Sequence, residues 1–266
     1  MIPVEVTRGD GPVVLGLPHT GSWLPDDIRA RLNARGQGLD DTDWHIDRLY
    51  DNLLGGVTTV RATFHRYVID ANRDPSGASL YPGRNTTDLV PLTDFDGQDI
   101  WTLPPTQDDI RQRRETFHAP YHAALAAELA RVRARHGVAI LYDCHSIRSH
   151  IPFLFDGTLP DFNIGTATGT TCDPRIEAAV QKICHTTPGF TTVTNGRFKG
   201  GWTTRQYGRP GEGLHAIQME LAQATYLTEE AAPWTYDEDK AAVLRSCLHT
   251  ILTTLADLAP NLKGTS

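Results

Sequence analysis

The sequence predicts an α/β fold: three layers, αβα, with a mixed, mostly parallel sheet and helices on both faces. Short apolar runs of strand length alternate with amphipathic stretches of helical length, the pattern of a sheet flanked by helices. Three of those runs read as buried strands, and each ends on a polar residue. Val13-Val14-Leu15-Gly16-Leu17-Pro18 leads to His19, Val138 to Cys144 leads to His145, and Leu214 to Met219 leads to Glu220. No linker, internal repeat, charge block or low-complexity stretch divides the chain, so residues 1–266 are expected to form a single domain.

The elements follow in order. Val13 to Leu17 is the first strand. A short helix follows Pro25, and another runs from about Thr42 to Leu54, with Thr42 as cap and Gly55-Gly56 as stop. Val57 to Thr63 and Arg66 to Ala71 read as two strands. Pro75 to Pro105 is rich in Gly, Pro, Asn and Thr and reads as a long loop, a length often tied to function. Thr106 to His136 is the strongest helical stretch, capped by Thr106, stopped by Gly137, and kinked or split at Pro120. The strand to His145 comes next. Asp173 caps a helix to about His185. Asn195 to Gly213 is glycine-rich and carries Arg197, Arg205 and Arg209. The strand to Glu220 follows, and Tyr236 to Leu258 closes the chain as a helix.

Composition narrows the function. Hydrophobic residues make up 39% and charged residues 21%, the proportions of a globular protein with a sizeable core. The formal net charge is −7 and the basic residues are not blocked together, which argues against a nucleic-acid binder. The apolar runs are too short to span a bilayer, and Met1-Ile2-Pro3-Val4-Glu5 opens no signal peptide. Cys144, Cys172, Cys184 and Cys247 lack CxxC spacing, which argues against a disulfide framework or a cysteine zinc site. A cytoplasmic protein with reduced thiols, no membrane partner and no obligate protein partner is the expectation.

Ligands of open α/β sheets bind outside the carboxyl ends of the strands. Two imidazoles and a carboxylate gathered there suit a catalytic zinc and its general base. His19 leaves its strand into a Gly turn. Side chains alternate along a strand, so Asp143 and His145 share a face, and Asp143 is placed to orient the imidazole. Taken singly, each histidine is as readily a satisfied polar group at a strand end. A three-ligand site lacks one ligand, and the acid-rich run Asp40-Asp41-Thr42-Asp43-Trp44-His45-Ile46-Asp47 offers candidates, although acids at a helix start also complement its dipole. Glu220 is a carboxylate at the end of an apolar strand, costly to bury without a partner or a task. Arg66, Asn72 and Arg73 cluster near a strand end, with Arg84, Arg148, Arg205 and Arg209 near other candidates in sequence. Several arginines around one pocket suit a substrate with two carboxylates, which guanidinium grips bidentately.

The chain resembles the N-formylglutamate amidohydrolase (deformylase) family. The resemblance is carried by Pro18-His19-Thr20-Gly21, Asp41-Thr42-Asp43-Trp44-His45, Arg66-Tyr67-Val68-Ile69-Asp70-Ala71-Asn72-Arg73 and Leu80-Tyr81-Pro82-Gly83. It continues in Tyr142-Asp143-Cys144-His145-Ser146-Ile147-Arg148-Ser149, Asn195-Gly196-Arg197-Phe198-Lys199-Gly200-Gly201 and Met219-Glu220-Leu221-Ala222-Gln223. It implies a phosphorylase/hydrolase-like fold related to zinc carboxypeptidases and aspartoacylase. It implies zinc on His19 and His145 with Asp43 as third ligand, and Glu220 as base. Arg66, Asn72 and Arg73 would hold a carboxylate, and Arg205 or Arg209 would add to that or polarise the scissile carbonyl. The carboxypeptidase-type relatives carry Glu three residues after the first His; here that position is Ser22, so Asp43, Asp47 or His45 must complete the set. The implied reaction is zinc-dependent hydrolysis of N-formyl-L-glutamate to formate and L-glutamate, the last step of one route of histidine degradation. Another small N-acyl amino acid such as N-formylaspartate, or a carboxypeptidase-like peptide substrate, is the neighbouring reading.

Overall fold

The computed structural model describes residues 2–79, 83 and 85–262. Its strands are β1 (Val4–Thr7), β2 (Val13–Leu17), β3 (Thr58–Ala62), β4 (Ala139–Ile147), β5 (Phe162–Gly165), β6 (Thr192–Thr194) and β7 (Leu214–Ala222). Its α-helices are α1 (Asp26–Arg29), α2 (Ala34–Gly38), α3 (Ile46–Tyr50), α4 (Gln107–Arg113), α5 (Ala119–His136), α6 (Pro174–Thr186), α7 (Trp202–Tyr207) and α8 (Glu238–Leu258). The strands form one mixed sheet in the order β1-β3-β2-β4-β7-β5-β6. Pairs β2–β3, β2–β4, β4–β7 and β5–β6 are parallel; β1–β3 and β5–β7 are antiparallel.

Strands β2, β4 and β7 are buried at every position, because helices cover both faces of the sheet. On one face Leu15, Leu17, Ile140, Tyr142, Ile217 and Met219 pack against Leu244, Leu248 and Ile251 of α8 and Ile176 of α6. On the other, Val14, Leu141 and Ala216 pack beneath Tyr121, Leu125 and Leu129 of α5. Each fully buried leucine or isoleucine contributes on the order of 2 kcal/mol. Those layers hold a sheet whose strand ends are polar. Along the α5 face, β4 runs Leu141, Asp143, His145 and β7 runs Ala216, Gln218, Glu220. The β4–β7 register sets Asp143 opposite Gln218 and His145 opposite Glu220.

Several expected boundaries hold. Thr106 caps α4 in a reciprocal box with Asp109, Asp173 caps α6, and Gly137 ends α5 at φ 76°. Pro120 lies in the first turn of α5, behind a π-helical turn at Arg114–His118 that accommodates its missing N–H. The described part of 75–105 forms no helix and no strand beyond isolated bridges.

Others are corrected. Arg66 to Ala71 is not a strand but a run of turns. The turns there carry Arg66 to Asp43 and Asp70 to His19, two contacts that hold the segment out of the sheet. Thr42 caps no helix; its hydroxyl donates to the Leu39 carbonyl. The helix starts later, at Ile46, behind His45 in the left-handed region at φ 59°, and stops at Tyr50. Strands β1, β5 and β6, and α7 inside the glycine-rich segment, carry too few apolar residues to announce themselves. The four cysteines are buried and unbridged. Among the described residues, no helix is long and apolar enough to cross a membrane.

Candidate metal and active site

His19, just past β2, and His145, on β4, meet Asp43 from the segment before α3. One ligand atom from each lies within 4.8 Å of the others, and all three residues are buried. The alternatives for the third position face elsewhere. His45 Nε2 sits 2.7 Å from the Trp234 carbonyl, and Asp47 pairs with Arg61.

Both imidazoles are held from behind. His19 Nε2 donates to Asp70 Oδ1 at 2.7 Å, and the backbone N–H of Asn72 donates to the same oxygen at 2.8 Å. His145 Nε2 lies 3.2 Å from Asp143 Oδ1, whose other oxygen accepts from Thr204 Oγ1 at 2.9 Å. Each ring therefore turns Nδ1 toward Asp43 Oδ2, at 3.8 Å from His19 and 3.3 Å from His145. A carboxylate behind each histidine is the arrangement that fixes the tautomer of a metal ligand. His19 Nδ1 is buried without a hydrogen-bond partner. An orphaned ring nitrogen, a second imidazole and a carboxylate oxygen form a donor set that suits zinc.

Burial pushes the His19 pKa down to about 4, helped by the nearby Arg66 charge, so the ring is neutral. Burial also lowers that of His145, but Asp143 and Asp43 outweigh it and raise it well above the usual histidine range. Burial raises the Asp43 carboxyl, and Arg66, whose Nη2 donates to Asp43 Oδ1 at 2.9 Å, more than reverses this together with His145 and His19. Asp70 is likewise held well below the carboxylate range, burial being outweighed by Arg73 and His19. Asp43, Asp70, Asp143 and Glu220 crowd around the two histidines, with Arg66 against Asp43 and Arg73 against Asp70.

Beside this cluster lies a cavity of about 80 Å3, walled by His19, Arg66, Asn72, Arg73, His145 and Glu220, among others. Glu220 projects from β7, opposite His145 in register, and burial raises its pKa to about 7. A carboxyl so poised exchanges protons near neutral pH. Asn72 Nδ2 sits 3.2 Å from His145 Nε2. Arg73 spans Thr87, donating to its carbonyl at 2.9 Å and its hydroxyl at 2.8 Å.

Two expected arginines are not brought to the wall. Arg209 is half exposed and pairs with Glu212, and Arg205 donates from Nε to the Gly200 carbonyl; neither lines the cavity. Arg84 and Leu80-Tyr81-Pro82 lie outside the described residues. Sequence reasoning gave no role to Asp70, Gln218, Thr204 or Arg197. Asp70 sits inside the Arg66–Arg73 run, and Gln218 is two residues before Glu220 on one strand face, so both were visible by position. Thr86, Thr87 and Phe95 come from the long loop and line the same cavity, as Arg197 does. Phe95 is tied down by its N–H to Asp41, and Arg197 reaches the Leu154 and Asn85 carbonyls.

Known proteins match this chain over most of its length. Residues 11–227 match the family model described as N-formylglutamate amidohydrolase. A protein from Pseudomonas aeruginosa named N-formylglutamate deformylase is 44% identical over 93% of this chain and 94% of its own. One of the same name from Pseudomonas putida is 45% identical over 93% of each chain. The crystal structure of an N-formylglutamate amidohydrolase from Ralstonia eutropha JMP134 superposes with a TM-score of 0.81 at 26% identity, covering 98% of this chain and 99% of that one. A gene product of Agrobacterium tumefaciens shares the fold, with a TM-score of 0.73 at 18% identity over 97% of this chain and 96% of that one. With its sheet, its buried His-Asp-His group and this extended match, the chain belongs to the N-formylglutamate amidohydrolase family.

Proposed function

We propose that the protein is a zinc-dependent amidohydrolase that cleaves N-formyl-L-glutamate to formate and L-glutamate, in one catalytic unit. The observation that carries this reading is the convergence of His19, Asp43 and His145 beside one small cavity whose wall includes His19, His145 and Glu220. His19, Asp43 and His145 would hold the ion. Zinc bound there supplies Lewis acidity, polarising a carbonyl oxygen and acidifying water near neutral pH. Asp70 and Asp143 fix the two imidazoles. Glu220 takes a proton from the attacking water and returns it to the leaving nitrogen, so formate departs and the amine of glutamate is neutralised. Arg73 and Asn72 orient a substrate carboxylate, and Arg66, engaged by Asp43, sets the field of the site. Phe95 and Thr87 of the long loop narrow the cavity, which supports a single small acyl amino acid over a peptide. A place at the end of a histidine-degrading route, in the cytoplasm, follows from this substrate.

The test is formate or acetate release from N-formyl-L-glutamate, N-formyl-L-aspartate and N-acetyl-L-glutamate by the zinc-loaded protein. Turnover confined to N-formyl-L-glutamate supports the reading. Preference for either other compound moves the substrate, and inactivity on all three overturns the function.

A further inference from the structure

The carboxylate of Glu220 is itself held, and the holding group is Gln218. The two side chains lie two residues apart on β7, hence on one face. Gln218 is 3% exposed, and its Nε2 donates to Glu220 Oε2 at 3.0 Å. Its amide cannot be reversed, because the backbone N–H of Gly201 donates to Gln218 Oε1 at 2.7 Å. A donor on one side forces the acceptor atom toward it and leaves only the NH2 group for Glu220.

Gly201 opens α7, and the first turn of that helix also serves the histidine side of the cavity. Thr203 N donates to Asn72 Oδ1 at 2.9 Å, and Thr204 Oγ1 donates to Asp143 Oδ2 at 2.9 Å. The turn packs so closely that a Cβ at Gly201 would fall 2.3 Å from Asn72 Nδ2. One rigid backbone turn therefore sets Gln218, Asn72 and Asp143 together.

We propose that Gln218 is a positioning residue for catalysis. It holds Glu220 Oε2 and so fixes the carboxylate on the cavity wall. The inference rests on the reading of Glu220 as the base.

Two near-isosteric variants test it. Gln218→Met removes both hydrogen bonds, and Gln218→Leu removes them with a branched side chain. A lost hydrogen bond to a charged group predicts a fall in kcat of about tenfold or more in each. KM for N-formyl-L-glutamate and bound zinc stay at wild-type values. A Gln218→Met protein with wild-type kcat overturns the inference. So does loss of zinc or of the fold in both variants, which would make Gln218 a piece of scaffold. The crystal structure of Gln218→Met supplies a readout free of activity: Glu220 should leave its present rotamer, and a Glu220 unmoved overturns the inference whatever the substrate. Absence of formate release by the wild type, by contrast, strikes the functional reading and leaves the rotamer test standing.

Discussion

Replacing Asp70 by asparagine isolates the charge behind His19. Asp70 is fully buried and accepts from His19 Nε2 at 2.7 Å and from Asn72 N at 2.8 Å, both on Oδ1. Asparagine keeps the shape and one acceptor oxygen but removes the negative charge. A buried hydrogen bond to a charged group contributes about 1.5–3 kcal/mol. At about 1.4 kcal/mol per tenfold, that converts to roughly ten- to hundredfold in affinity. Outer carboxylates behind metal-bound histidines cost a similar factor when mutated. The expected outcome is zinc binding weakened by about that factor, read by competition with a coloured chelator. Far-ultraviolet circular dichroism should be unchanged. Thr204→Val, which removes one neutral donor from Asp143 Oδ2, should weaken binding less. An Asp70→Asn protein that binds zinc within about twofold of wild type would refute the argument that this carboxylate sets the imidazole.

Glu220→Gln should retain zinc and lose about 10²–10⁴ of turnover, checked by formate release alongside metal analysis. Arg73→Met should raise KM for N-formyl-L-glutamate by roughly ten- to hundredfold, the loss of a charge-assisted carboxylate contact, with a smaller change in kcat. His122, whose Nε2 sits 2.7 Å from the Ala71 carbonyl, has its pKa lowered to about 3 by burial and by His118. Its folded value lies below the unfolded one of about 6.5, so the unfolded chain binds the proton first as pH falls. Stability is thus fully present above pH 6.5 and declines toward pH 3, by up to about 1.4 kcal/mol per pH unit. Urea unfolding between pH 7 and 5 should show that slope reduced in His122→Gln, and equal slopes would contradict it. Leu248→Ala in the wholly buried face of α8 should cost about 2–5 kcal/mol in the same assay.

The strand ends were the most legible part of this protein. His19, His145 and Glu220 each closed an apolar run, and β2, β4 and β7 lie side by side, so their carboxyl ends converge. Strand alternation was enough to pair Asp143 with His145. The third metal-site residue was legible only as a choice among acids, because which of Asp43 and Asp47 turns inward depends on the left-handed backbone at His45. Arg66 to Ala71 looked like a strand from its apolar content. Its buried polar partners, Asp43 and His19, lie far away in sequence and impose the turn. The contribution of Thr87 and Phe95 was hidden for the same reason, since a loop's path over a cavity is fixed by tertiary hydrogen bonds such as that from Phe95 N to Asp41. Arg205 and Arg209 show the reverse error: nearness in sequence to a site residue does not aim a side chain at the site.

The central claim is that His19, Asp43 and His145 hold a metal ion on which hydrolysis by Glu220 depends. The most direct measurement is formate release from N-formyl-L-glutamate by protein stripped with a chelator and titrated with zinc. Activity should be abolished by stripping and return in proportion to zinc bound, saturating at one ion per chain, and His145→Asn should neither bind the ion nor recover. Full turnover by the stripped protein, or by His145→Asn, would contradict the account.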